Sequence, residues 1–291
     1  DATDSHCLFD AVRGATEVLH SDTTAVEVTD ADSLTSFDSD GFALGADVKV
    51  NTNTEDYVSW NWKESATAGL DIVSYAGNGT DDTDISHNLS ATPNLIIVKN
   101  RDAADDWQMY HHKNTSAPET DYLVLNEAVA TTDNVDRWSD EAPTSSVFTL
   151  GDGAEVNTNT ENYIAYCFAE KQGFSKFGSY TGNGNADGPF VYLGFRPAWL
   201  CIKNVDGEEA WKIHNNKSNP FNTVNKQLQS DNTDAEYTDG TANYFLSFLS
   251  NGFKISGVTH AAHNSSSTDY IYMAFAEAPF VNSNGVPCNA R

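Results

Sequence analysis

Short apolar runs punctuate the chain. Between them lie stretches crowded with Asn, Asp, Ser, Thr and Gly, and inside several runs the apolar positions alternate at period two. This pattern predicts many β-strands joined by tight turns rather than helices. Three segments carry it most clearly: YVSWNWKE ending at Glu64, YIAYCFAE ending at Glu170 and YIYMAFAE ending at Glu277. In each, one face takes Val58/Ile164/Ile271, Trp60/Tyr166/Met273 and Trp62/Phe168/Phe275. The other takes Ser59/Ala165/Tyr272 and Asn61/Cys167/Ala274. The first face is expected to be the core face of a sheet packed on one side, with Trp62, Phe168 and Phe275 all buried.

The three strands belong to a longer repeat. VNTNTEDY, from Val50 to Tyr57, recurs 106 positions on as VNTNTENY, from Val156 to Tyr163. SYAGNG (Ser74 to Gly79) returns as SYTGNG (Ser179 to Gly184), and TPNLIIVKN, ending at Asn100, returns as RPAWLCIKN, ending at Asn204. DDWQMYHHK, ending at Lys113, matches EAWKIHNNK, ending at Lys217, with SHCLFDAVR, ending at Arg13, as a weaker copy. A unit of about 105 residues therefore has a front half, with the SYxGNG and IxKN elements, and a back half, from the Trp motif to the Y-strand. The chain holds two front halves and three back halves. Asp1 aligns with Asp102, so unit one lacks roughly its first 28 residues, and these either belong to a preceding segment or leave a sandwich that leans on its neighbour.

The expected organisation is residues 1–65 as an incomplete first unit, 66–171 as the second and 172–291 as the third with a C-terminal tail. Asp40-Gly41 and Asn251-Gly252, each before a Phe, are hairpin turn signals. Together they indicate an all-β chain of tandem β-sandwiches, of jelly-roll or concanavalin-like type.

Charge narrows the partners. The formal charge of −26, from 42 acidic and 16 basic side chains among 291 residues, is spread along the chain. No basic footprint exists to release counterions from a phosphate backbone, so nucleic-acid binding is not expected, nor is an anionic membrane surface. No apolar run reaches the length of a membrane-spanning helix. Cys7, Cys167, Cys201 and Cys288 lie far apart with no CxxC spacing, so free thiols and no disulfide are expected.

Candidate chemistry is sparse. Asp82 and Asp187 stand where the third glycine of a dinucleotide loop belongs, so the GNG elements read as turns. His260 and His263 do not form a metal motif, and His111 aligns with Asn215. The acidic loops at Asp81, Asp82 and Asp84 and at Asp231, Asp234 and Asp239 offer oxygens of the type Ca²⁺ takes, without EF-hand spacing. Solvated loops are the competing reading, and no other cofactor is expected. Lys99 and Lys203 end apolar strands as Glu64, Glu170 and Glu277 end others, which suggests rim ion pairs. Catalytic motifs are absent, so no enzymatic activity is expected. Trp107, Trp138, Trp211 and Tyr237 are candidate stacking rings for a glycan and equally candidate core residues.

SYTGNG with GPFVYLGFRPAWLCIKN, DSLTSFDSDGFALG, and YIYMAFAEAPF with VPCNAR resemble an uncharacterised repeat domain of marine bacteriophage virion proteins. His6 at the position of Trp107 and Ser146-Val147-Phe148 in place of Asn-Gly-Phe depart from its pattern. The resemblance implies an exposed virion protein, a tail fibre or appendage with host-surface glycan recognition. The alternatives are a ligand-free capsid or tail decoration protein and, third, a polysaccharide-degrading tail enzyme. It further implies other virion proteins as partners, and the unfinished first unit suggests a homo-oligomer, with a trimer favoured.

Overall fold

The computed structural model describes residues 3–240, 245–256 and 260–278. It is built almost wholly of antiparallel β-strands, with three one-turn helices among the described residues. In unit one, β1 (Cys7–Asp10), β2 (Gly14–His20) and β3 (Val28–Thr29) form a three-stranded sheet. A hairpin of β4 (Leu34–Asp38) and β5 (Gly41–Leu44) leads to α1 (Val48–Asn51).

Unit two runs β6 (Leu70–Ala76), β7 (Thr83–Ser86), β8 (Leu95–Asn100), β9 (Gln108–His111), β10 (Asp121–Val124), β11 (Thr132–Asp133), α2 (Val135–Trp138), β12 (Val147–Leu150), α3 (Ala154–Asn157) and β13 (Asn162–Phe168). Its large sheet has the order β11-β10-β9-β8-β13-β6, and its small sheet pairs β12 with β7. Unit three runs β14 (Ser175–Thr181), β15 (Asp187–Tyr192), β16 (Trp199–Asn204), β17 (Lys212–Asn215), β18 (Lys226–Gln229), β19 (Tyr237–Thr238), β20 (Leu246–Leu249), β21 (Gly252–Ser256) and β22 (Asp269–Phe275). Its sheets are β14-β22-β16-β17-β18-β19 and β15-β21-β20. The two six-stranded sheets thus share one strand order, position for position.

The Y-strands β13 and β22 lie inside these sheets, between β6 and β8 and between β14 and β16. Both of their faces are covered, which corrects the expectation of a sheet packed on one side. The small-residue face, with Ala165 and Cys167 or with Tyr272 and Ala274, packs on the small sheet of the same unit. There it meets Phe148 and Leu150 in unit two, and Phe248 and Phe253 in unit three. In unit two the narrow Ala165 and Cys167 on one layer leave room for the Phe148 ring on the other.

The large-residue face, carrying Ile164 or Ile271 and Met273, turns instead into a core shared by all three units. Leu19 of unit one, Trp107 and Met109 of unit two, and Trp211 and Phe275 of unit three all contribute to it. Phe275 is its hub, with ring centroids at 5.5 Å from Trp62 and 5.8 Å from Phe168, the residues at the corresponding places in the other two units. Two indoles tie neighbouring units: Trp107 Nε1 donates to His20 O and Trp211 Nε1 to Val124 O, each at 2.9 Å.

Unit one differs in a way its strand content explains. Tyr57 to Glu64 has no strand conformation, and residues 56–64 make no backbone hydrogen bond among the described residues. In units two and three the corresponding strand pairs on both sides with strands of the front half. Unit one contains neither partner. Trp62 is consequently 36 % exposed and Phe168 only half-buried, while Phe275 is buried, so equal burial of the three does not hold. A polar junction also anchors unit one. Arg13 bonds Asp10, Glu27 and the carbonyls of Leu8 and Glu17, Arg101 bonds Glu27, and Tyr166 Oη donates to Asp10 at 2.8 Å.

Candidate functional site

The repeated tyrosine that opens each Y-strand fixes the turn before it. Tyr57 Oη accepts from Thr52 N and donates to Val48 O, both at 2.9 Å. Tyr163 does the same with Thr158 N and Ala154 O (2.8 and 2.6 Å), and Tyr270 with Ser265 N and Ala261 O (2.9 and 2.7 Å). This turn presents an asparagine, Asn51, Asn157 or Asn264.

In units two and three that asparagine clamps the front half. Asn78 N donates to Asn157 Oδ1 and Asn183 N to Asn264 Oδ1, each at 2.9 Å. Gly79 N and Gly184 N donate to the carbonyls of the same asparagines at 2.8 and 3.1 Å. Gly77 and Gly182 must be glycine, since a Cβ there would stand 2.2 Å from Thr158 O or 2.1 Å from Ser265 O. The GNG turns of the sequence are therefore docking elements, for Asn157-Thr158-Asn159-Thr160 in unit two and for Asn264-Ser265-Ser266-Ser267 in unit three.

Unit one presents the same turn without a front half. Asn51 retains the bond from Nδ2 to Gly45 O at 2.6 Å, and several apolar side chains of this unit are exposed. Phe37 is 45 % exposed where Phe248 is 2 %, Leu44 39 % where Leu150 is 0 %, and Tyr57 46 % where Tyr163 is 0 %. Unit one thus exposes rings and aliphatic chains that the other units bury, and among the described residues β5 pairs on one side only.

A second surface lies at the far edge of unit three, where β17, β18 and the segment before β19 enclose a cleft of about 390 Å³. Lys212, Gln227, Gln229, Asp234, Glu236 and Tyr237 line it. Lys226 pairs with Glu236 at 2.7 Å. Gln227 is buried, and its Oε1 accepts no hydrogen bond from the described residues. Tyr237 is half-exposed. Of the four candidate stacking rings, Tyr237 alone stands at such a surface. Trp107, Trp138 and Trp211 are buried, the first and last as the inter-unit ties above and Trp138 edge-on to Tyr110. An indole that fills a core cannot stack on a sugar.

The acidic loops do not assemble. Among the described residues no three His, Cys, Asp or Glu side chains gather as a cation site. Asp81 accepts from Ser139 Oγ at 2.6 Å and Asp84 from Thr149 Oγ1 at 2.9 Å. Asp82 occupies a turn at φ 57°. Asp231 is half-buried, Asp239 is buried, and Asp234 lines the cleft. His214 and His263 meet through their Nε2 atoms at 3.0 Å in the interior, and burial pushes His214 down to about 4.

The rim ion pairs do not form either. Lys99 and Lys203 are fully buried. Lys99 donates to the carbonyls of Thr24, Asn100 and Asp105 and Lys203 to that of Glu209, and burial pushes both ammonium groups down to about 8. Glu170 accepts from Phe177 N, and Glu277 pairs with Lys217 in solvent. Cys7, Cys167 and Cys201 are free thiols, and Cys288 lies outside the described residues.

No curated protein and no solved structure matches the chain. A family model described as a domain of unknown function matches residues 1–279, from the first unit into the third. The chain belongs to that family, DUF7483.

Proposed function

We propose that the chain is a non-catalytic structural module of a phage-type virion appendage, exposed on the particle and built to assemble with other virion proteins or with copies of itself. The observation that carries this reading is the exposure in unit one of Phe37, Leu44 and Tyr57, whose counterparts Phe248, Leu150 and Tyr163 are buried in the other units. Soluble proteins cover such surfaces or use them as interfaces. The acidic surface elsewhere keeps an exposed module soluble. Light scattering of the chain across micromolar concentrations tests the assembly reading. A mass of a defined oligomer, with a trimer the expected order, supports it, and a monomer at every concentration, with unit one rigid, overturns self-association. Imaging of labelled chain on particles tests the location.

A second reading rests on the cleft beside Tyr237. A half-exposed ring next to two amides, two carboxylates and an ammonium has the make-up of a saccharide site, since a sugar offers an apolar face for stacking and hydroxyls for planar hydrogen-bonding groups. Glycan-array binding that is lost in Tyr237→Ala supports host-surface recognition. Absence of binding leaves the ligand-free decoration role.

A further inference from the structure

We infer that the outer face of the small sheet in unit three is a binding platform for a neutral saccharide chain, stacked on Phe190 and Tyr192. The site shares no residue with the Tyr237 cleft and does not rest on it.

β15 is an edge strand, paired with β21 alone. Val191 packs in the core of the sandwich, so Phe190 and Tyr192 on either side of it stand on the opposite, outer face. They are 46 % and 61 % exposed. The fold does not require rings there. In unit two the equivalent strand pair sets Ile85 opposite Phe148, as unit three sets Val191 opposite Phe253, and the flanking positions are Asp84 and Ser86. Thr149 Oγ1 donates to Asp84 at 2.9 Å where, in unit three, Lys254 stands opposite Phe190. Unit three thus exchanges a polar outer face for two rings while the core side of the strand keeps its pattern.

Both rings are held in place. A Cβ at Gly252 would stand 3.2 Å from Phe190 Cε2, so the glycine lets this ring lie close against the neighbouring strand. Lys176 Nζ lies 5.6 Å from the centroid of the Tyr192 ring and donates to that residue's own carbonyl at 2.8 Å. Rings fixed before binding lose little freedom when a ligand stacks on them. Beside them, Lys176 and the ion pair of Lys254 with Asp187, at 2.6 Å, offer donors and acceptors for hydroxyls.

Edge, area and charge select the occupant. Pro189 has no N–H, and lysines bond the carbonyls of Gly188 and Tyr192, so β15 is a poor template for an added strand. At about 150 to 250 Å² for each ring, the two exposures leave about 200 Å² of aromatic surface uncovered. That is well short of the about 800 Å² that a stable protein interface takes from each partner, and it suits the C–H face of a pyranose. The formal charge of −26 repels a polyanion, and Asp187 already neutralises Lys254.

The test runs the full chain through native gels containing a neutral β-glucan, a galactan or a mannan, with alginate as the acidic comparison, and screens it on a glycan array. Phe190→Asp combined with Tyr192→Ser gives unit three the residues that unit two carries, and a thermal melt checks that the fold persists. If the melt falls, Tyr192→Ser alone is read in the same way. The expected result is binding to at least one neutral glycan that weakens at least about ten-fold in the variant, holds in Tyr237→Ala, and changes less than about two-fold between about 0.1 and about 1 M NaCl. No neutral glycan bound on gel or array overturns the inference. Binding that the ring variants retain overturns it as well, and its loss in Tyr237→Ala instead assigns that binding to the cleft. A preference for alginate that fades at high salt also overturns it, because charge attraction rather than stacking would then hold the ligand.

Discussion

Phe275→Ala tests whether the three units share one core. Phe275 is buried and its ring lies 5.5 to 6.0 Å from those of Trp62, Phe177, Trp199, Phe168 and Phe174, so truncation removes contacts to all three units at once. A Phe to Ala change in a core costs about 3 to 5 kcal/mol. Edge-to-face pairs add about 0.5 to 1.5 kcal/mol each beyond area, which places this site at the upper end, about 4 to 5 kcal/mol. Equilibrium urea unfolding, followed by Trp fluorescence and by far-UV circular dichroism, should show a midpoint lower by about 1.3 to 1.7 M for an m-value near 3 kcal/mol/M. The parent chain should give coincident transitions by both probes, because one core serves three units. A double-mutant cycle with Trp62→Ala should return a coupling of about 1 kcal/mol. A loss below about 1.5 kcal/mol for Phe275→Ala, or a parent chain that unfolds in separate steps, would refute the shared core.

Three further outcomes follow from buried polar groups and one close contact. His111, whose Nε2 lies 3.3 Å from Tyr272 O, is pushed down to about 3 by burial and by His112, so the unfolded chain binds a proton there that the folded chain does not. Stability should therefore fall as pH drops from 6.5 towards 3, by at most about 5 kcal/mol from this group, and His111→Gln should flatten that limb in urea midpoints. Lys99 and Lys203 are pushed down to about 8, so stability should rise from pH 8 to about 9.5, by up to about 2 kcal/mol for each lysine across that window. The rise should shrink in Lys203→Met, measured the same way; an unchanged slope would show that the lysine is not desolvated. Gly77→Ala forces a Cβ to 2.2 Å from Thr158 O and should cost about 1 to 3 kcal/mol in a thermal melt, whereas an unchanged melt would show that the clamp has slack.

The sequence by itself determined the strand-rich class, because period-two alternation and Asn-Gly or Asp-Gly turns are local rules that each short segment obeys alone. It also exposed the correspondence of 57–64, 163–170 and 270–277, because identical words at one spacing need no coordinates. The buried thiols Cys167 and Cys201 align with Ala274 and Ile97 of another copy, apolar partners that the repeat itself exposes.

What alternation cannot say is which of two buried faces meets which partner. Ala165 and Cys167 read as the minor face, yet they line their own unit's sandwich, while Tyr166 and Phe168 turn to other units. Nor does spacing tell a stacking ring from a core ring. Trp107 and Trp211 became inter-unit ties because carbonyls at His20 and Val124, 87 residues away in each case, lie within reach of their indoles. The lysines at 99 and 203 looked like rim charges because they end strands, but folding wraps loop carbonyls over them, and only the loop path decides that. The cleft beside Tyr237 depends on the pairing of β18 with β19 and the approach of Lys212, a conjunction that no single segment encodes. Local rules wrote the strands, and contacts between residues distant in sequence decided what each face would do.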